Sequence, residues 1–256
     1  MKVIAVIMVR NGADYAKKCI SHLLENEIEV AIIDQSSDDG TYEICQSFVG
    51  NGVCELQRIK YPGYFSLTDQ LQEKYKLISK LQTDWIIHHD IDECLEAPDS
   101  ALSLYESIKN EDKQGFTAIN FNEFVFLPYD EASSFYDSQF YYLFEPFFPR
   151  LMRAWKKTAG LSSIKSGGHI LQGDVNLSPI THILRHYVFT SQQHAFNKYS
   201  NRRFSTEEIQ NGWHKNRVNI EHNKLIFPSK HKLEVINQNK PTDLIISNPW
   251  KKHYWE

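Results

Sequence analysis

The chain has 256 residues, enough for one sizeable core or a core with an appended subdomain. A net charge of -4 with 41% hydrophobic residues describes an ordinary globular chain, without the basic bias that a nucleic-acid partner selects. Its four cysteines, Cys19, Cys45, Cys54 and Cys94, lack C-x-x-C spacing, so they read as reduced, mostly buried thiols of a cytoplasmic protein and not as a disulfide or zinc framework.

Lys2 to Val9 is an apolar run closed by Arg10-Asn11-Gly12, a strand followed by a turn. It is too short to span a bilayer and lacks the flanks of a signal peptide. Asp14 to Glu25 carries Tyr15, Cys19, Ile20, Leu23 and Leu24 at helical spacing. Glu29 to Ile33 reads as a second buried strand and runs into the polar loop Asp34 to Thr41, after which a helix is expected to Phe48. Val53 to Lys60 is a third strand, and Leu67 to Leu81 a third helix with Leu67, Leu71, Tyr75 and Ile78 on one stripe. Strands alternating with helices imply right-handed crossovers and a parallel sheet, with ligands beyond the carboxyl ends of the strands.

The fourth strand, Trp85 to His89, ends in Asp90-Ile91-Asp92-Glu93. Unpaired carboxylates are too costly to bury, so they belong at the strand's exit, facing a cleft. Residues two apart in an extended chain share a face, so Asp90 and Asp92 offer two hard oxygen donors together, a set that suits Mg2+ or Mn2+. A strand end with an Asp-rich turn or helix cap gives the same pattern. His88 and His89 point to opposite faces, so at most one of them borders that cleft.

In the second half, a helix is expected over Asp99 to Lys109, with Pro98 near its start, and strands over Phe116 to Phe126, Arg150 to Trp155 and His182 to Phe189. Leu127 to Phe148 is aromatic and reads as irregular, either a ligand-lining segment or a packed loop over the sheet. In Ser166-Gly167-Gly168-His169 the glycines permit close backbone approach. Helices are expected over Ser191 to Asn201 and Ser205 to Asn211, and the tail from Asn237 is either docked or loose.

Three pieces together resemble glycosyltransferases of the GT-A fold, in particular family 2-like bacterial enzymes. They are Val3-Val9 with Arg10-Asn11, Ile32 to Thr41, and Trp85 to Glu93, which cover about the first half of the chain. The stretch Leu184-Arg185-His186-Tyr187 with Ser191, Phe196, Lys198 and Arg202-Arg203 looks like one branch of them. The resemblance implies a GT-A-like, Rossmann-type α/β fold with a mostly parallel sheet. Residues 1–126 would form the nucleotide-sugar-binding half and 127–256 the acceptor side of the same domain. It also implies a UDP- or GDP-sugar donor, a carbohydrate or lipid-linked acceptor and inversion at the anomeric carbon. Location would be cytoplasmic, with any membrane contact peripheral and at the inner face.

On that resemblance Asp34 contacts the nucleobase, with Arg10 and Ser36 beside it. Asp90 lies near ribose and metal, and Asp92 holds the ion that bridges the diphosphate. His169 is a third candidate metal ligand, since neutral imidazole suits Mn2+. Lys198 and Arg202, four apart, are expected on one helical face and would close over the diphosphate from the side opposite Asp92. The acidic pair in which the family usually places its general base is missing, which leaves Glu145 and Asp174, with Glu123, Asp130 and Glu131, as candidates. A nucleotidyltransferase, a metallohydrolase on His88 and His89, and a catalytically silent glycan- or nucleotide-binding module are the competing readings.

Overall fold

The computed structural model describes residues 1–129, 134–200, 202–212, 214 and 217–256. Strands β1 (Val3–Val9), β2 (Glu29–Asp34), β3 (Val53–Arg58) and β4 (Trp85–His89) alternate with helices α1 (Ala13–Glu25), α2 (Thr41–Gln46) and α3 (Leu67–Lys80). They form a parallel block in the order β4-β1-β2-β3. All seven residues of β1 are buried, and their alternation explains why. Val3, Ala5, Ile7 and Val9 pack under α1 and α2, whereas Ile4, Val6 and Met8 pack on the side of α3.

Beyond β4 the chain forms β5 (Glu93–Glu96), α4 (Leu104–Lys113), β6 (Ala118–Leu127), β7 (Phe140–Phe144), β8 (Leu151–Lys156) and β9 (His182–His186). It continues with α5 (Gln192–Ser200), α6 (Thr206–Gln210) and the short β10 (Glu234–Val235). The parallel block continues into antiparallel pairing, because β8 runs against both β4 and β6. β6 is long enough to serve two neighbours on one edge. Its first half pairs with β8 as far as Phe121 and its second half, from Glu123, with β7, while the opposite edge pairs from Phe121 with β9, which in turn carries β5. The sheet therefore forks just past the carboxyl end of β4. The division at 126/127 falls inside β6, and strands from both sides of it belong to one sheet.

The sequence reading needs correction at three points. The helix expected over Asp99 to Lys109 begins at Leu104, because Ser103 and Glu106 form a reciprocal capping box that sets its start. The aromatic segment Leu127 to Phe148 contains β7, whose rings pack inward, with Tyr141, Tyr142, Leu143 and Phe144 all buried. The β5 strand was concealed in the acidic stretch after Asp92. The cysteines are as expected, all four free thiols and all but the exposed Cys54 buried.

The tail is docked. Trp250 stacks on Tyr142 at 4.4 Å, its amide donates to Leu143 O (2.8 Å), and Trp255 is 1% exposed against Phe189, Tyr199 and His253. Replacing so large a buried ring leaves a cavity that its neighbours cannot fill. Trp255→Ala is expected to lower the unfolding free energy by about 3–5 kcal/mol, read from the midpoint of a urea titration. A change within error would mean that the tail carries no packing weight.

Candidate active site

Asp90 and Asp92 leave the carboxyl end of β4, where the sheet forks, and each meets cations from other elements. Asp90 Oδ1 accepts from Lys74 Nζ of α3 (3.3 Å) and Oδ2 from Arg153 of β8 (3.0 Å). The same guanidinium nitrogen donates to Glu93, which is 1% exposed and whose other oxygen accepts from the Asp90 amide (3.1 Å). Asp92 Oδ2 accepts from Lys198 Nζ of α5 (3.1 Å) and lies 3.6 Å from His186 Nε2. His186 Nδ1 bonds to Glu123 of β6 (2.6 Å), and Glu123 also accepts from Arg150. Two linked chains of charge thus run through the fork, one centred on Arg153 and one on His186.

The ionisation states follow from these contacts. Burial opposes charge on Asp90, but Lys74 and Arg153 outweigh it and hold the carboxyl well below its usual range. Asp92 is likewise held low against burial, by Lys198 and His186. Burial pushes Glu93 up to about 7 in spite of Arg153. For His186 burial alone would favour the neutral ring, yet Asp92 and Glu123 at its two nitrogens push it up to about 10. His88 and His89 are buried on opposite faces and both pushed down to about 3 by desolvation. His88 is the one on the cluster, 3.6 Å from Asp90, while His89 faces Cys19 of α1. A Cβ on Gly168, whose φ is +84°, would lie 3.0 Å from His88 Cε1, so this close approach needs glycine.

Asp34 ends β2 and is fully buried. Its Oδ2 accepts from the Ser37 amide (3.1 Å) and pairs with Arg58 Nε (3.3 Å), while Oδ1 is buried without a hydrogen-bond partner. Arg10 and Ser36 shape the loop beside it. Arg10 donates to Gln35 O (3.0 Å) and Ser36 O, pairs with Asp38 and lies 3.9 Å over the Tyr61 ring, and Ser36 Oγ donates to Ile59 O (2.7 Å).

Other expected residues fall elsewhere. Lys198 stands on Asp92 itself and not across from it, and Arg202 lies beyond the last residue of α5, over the Phe65 ring at 5.0 Å. His169 borders Arg150 and Arg153; burial and these cations push it down to about 3, which takes it out of any titration in the imidazole range. Asp174 is exposed on a loop tied to Thr117 at the amino end of β6, the opposite end of the sheet from Asp90. Glu145 follows β7, with its amide on Trp250 O (3.0 Å). Asp130 and Glu131 lie outside the described residues.

Lys74, Arg150 and Arg153 escaped the sequence reading. The signal for two of them was present, since Lys74 interrupts the apolar stripe of α3 between Leu71 and Leu77, and Arg153 sits inside the apolar run Leu151 to Trp155. A charge in a buried position demands a buried partner.

Among the described residues no three His, Cys, Asp or Glu side chains gather as a metal shell, so His169 does not complete one with Asp90 and Asp92. Asp90 and Asp92 fit a divalent ion in a different mode, in which one or two carboxylates hold it while substrate phosphates and water fill the rest. Asp90 is open enough for that, with its side chain 43% exposed.

The sequence model of Glycosyl transferase family 2 matches residues 4–162, more than half of the chain. This chain belongs to glycosyl transferase family 2. The matched region of this transferase domain contains Asp34, Asp90, Asp92 and Arg153. Among solved structures, the chain is similar to S. aureus TarS 1-349 in complex with UDP, with 11% identity and a TM-score of 0.47, covering 78% of this chain and 63% of that one. The same TarS piece without UDP gives 0.48 over the same shares, and a longer TarS gives 0.48 with 11% identity over 88% of this chain and 41% of TarS. The chain thus spans less than two thirds of the TarS chains it resembles. No curated protein sequence matches it. No helix among the described residues is long and apolar enough to cross a membrane.

The His186 pairing has a measurable sign. A histidine whose folded pKa is raised contributes stability that is fully present below its unfolded value, near 6.5, and is lost as pH rises through about 10. The melting temperature is therefore expected to fall between neutral pH and pH 10, with a shallower fall in His186→Gln. Equal slopes in both proteins would separate His186 from the alkaline loss.

Proposed function

We propose that this domain transfers a sugar from a nucleotide-diphosphate donor to a carbohydrate or lipid-linked acceptor with the help of Mn2+ or Mg2+. The observation that carries this reading is the position of two carboxylates at the end of β4, walled by Lys74, Arg153 and Lys198. Two strands away at the same end of the sheet, Asp34 holds a buried acceptor without a partner. Two strand spacings amount to roughly 10 Å, comparable to the reach of a nucleotide from its base to its diphosphate.

In this reading Asp34 Oδ1 takes an N–H of the nucleobase as Arg58, which is only half-buried, gives way, while Arg10 and Ser36 hold the base loop. Asp90 and Asp92 hold the divalent ion, which when bound neutralises charge on the departing diphosphate. Lys198 and Arg202 supply positive charge on the phosphate side. Glu145 is the acid we assign to the acceptor hydroxyl, because Glu123 is held ionised by Arg150 and His186 and is a weak base. Asp174 is left out of the chemistry by its place at the far end of the sheet. An acceptor attacking opposite the diphosphate would invert the anomeric centre.

Asp92→Asn preserves the shape of the side chain and removes its charge. Transfer from a labelled UDP- or GDP-sugar is expected to drop roughly 100-fold or more with the fold intact by circular dichroism. Full activity of that variant in EDTA would refute the metal role. Asp34→Asn is expected to weaken nucleoside diphosphate binding roughly ten- to a hundred-fold in calorimetry, the value of one charge-assisted hydrogen bond. Unchanged affinity would take Asp34 out of the donor site.

A further inference from the structure

Single exposed apolar side chains are ordinary on a protein surface, but adjoining ones ask for a partner. Among the described residues two such pairs stand out. Phe147 and Phe148 are 52% and 59% exposed, and Ile245 and Ile246 are 42% and 62% exposed. The isoleucine pair follows Asp243 and has no cation beside it in the chain. The phenylalanine pair is differently placed. It forms the tip of Pro146-Phe147-Phe148-Pro149 between β7 and β8, where the flanking prolines restrict the backbone and present both rings outward.

Two lysines are built onto the same segment. The Glu145 amide donates to Trp250 O (3.0 Å), and Lys251 Nζ donates to Glu145 O (2.6 Å), which fixes the exposed Lys251-Lys252 pair beside the aromatic tip. Segments 145–150 and 249–252 contain one acid, Glu145, and three cations, one of which, Arg150, is buried on Glu123. The patch is therefore positive in a chain whose net charge is -4. Its position is also defined. β8 pairs Ala154 with Ile87 of β4, so Leu151 falls opposite Asp90, and the segment leaves the sheet at the level of the carboxylates.

The form of the patch selects its partner. A stable protein interface buries on the order of 1,000 Å² or more, which a four-residue tip cannot supply. A bilayer interface asks for less: a few aromatic rings at headgroup depth, and lysines whose stems lie on the apolar zone while their ammonium groups meet anionic headgroups. We propose that the Phe147–Phe148 tip, with Lys251 and Lys252, is a docking surface for an anionic phospholipid bilayer. Docking there brings the carboxylate end of the sheet toward the membrane. This deepens the transferase reading by stating where a lipid-linked acceptor would be met, but the binding itself does not depend on that reading.

The test is sedimentation of the full chain with phosphatidylcholine vesicles, with and without phosphatidylglycerol. Binding is expected only with phosphatidylglycerol and is expected to weaken as salt rises. Phe147→Ser with Phe148→Ser should abolish most of it, and Lys251→Gln with Lys252→Gln should weaken it by about five-fold per lysine. Circular dichroism verifies that both variants fold, and Asp92→Asn should bind vesicles like the parent, which separates docking from chemistry. Absence of vesicle binding, or equal binding by the double-serine variant, overturns the proposal. So does a parent chain that self-associates in vesicle-free ultracentrifugation and is made monomeric by the serine changes, since the tip would then be a contact between copies.

Discussion

Arg153 is the residue on which the site depends. It reaches from β8 under the end of β4 and holds Asp90 and Glu93 with one nitrogen. Four carboxylates, Asp90, Asp92, Glu93 and Glu123, converge where the sheet forks, and the buried ones could not stay charged without cations fixed by the fold. β8 supplies Arg153, α3 supplies Lys74 and α5 supplies Lys198, so three distant parts of the chain must be in register before the acids can be tolerated. The fold and the chemistry share this requirement. Removal of one partner would leave a buried charge uncompensated, which is more costly than the pair is worth.

The fork follows from strand length. β6 has ten residues and β4 five, so β6 outruns the parallel block: past β8 the same edge takes β7, and the opposite edge carries β9. β9 then carries the short β5, and the chain between β4 and β5 is left at the notch with Asp90 and Asp92. Neighbouring backbones stop pairing there, which is where a sheet can admit a ligand without breaking its ladder.

The first half of this architecture was legible because its signals are local. Val3–Val9, Glu29–Asp34 and Trp85–His89 are apolar runs between polar turns, and the carboxylates that end the last two stand at the edge where parallel sheets bind ligands, without any knowledge of the partners. The second half was harder to read because its order comes from distant contacts. β7 looks like an aromatic loop until β6 lies beside it, and α4 starts at a capping box several residues after the proline that first draws attention. The site divides in the same way. Asp34, Asp90 and Asp92 are readable as acids at strand ends. Of the cations that balance them, Lys198 on α5 was expected near the diphosphate, and only the misfit with apolar surroundings pointed to Lys74 on α3 and Arg153 on β8. Asp174 was a candidate from residue type alone and the fold places it at the far end of the sheet, whereas His169, read from the glycines before it, borders Arg150 and Arg153 but joins no metal shell among the described residues.

The bond between Lys198 and Asp92 has a consequence for how the site fills. A centre whose resting charge is already balanced from within binds by exchange, as an ion-exchange resin does. A cation that took Asp92 Oδ2 would displace the ammonium now 3.1 Å away, and Lys198, left with the Val188 carbonyl, would lack a counter-ion. An anion arriving with the cation supplies one. On the proposed reading, cation and anion would therefore favour each other's binding through a shared lysine, and by reciprocity each would raise the affinity for the other by the same factor.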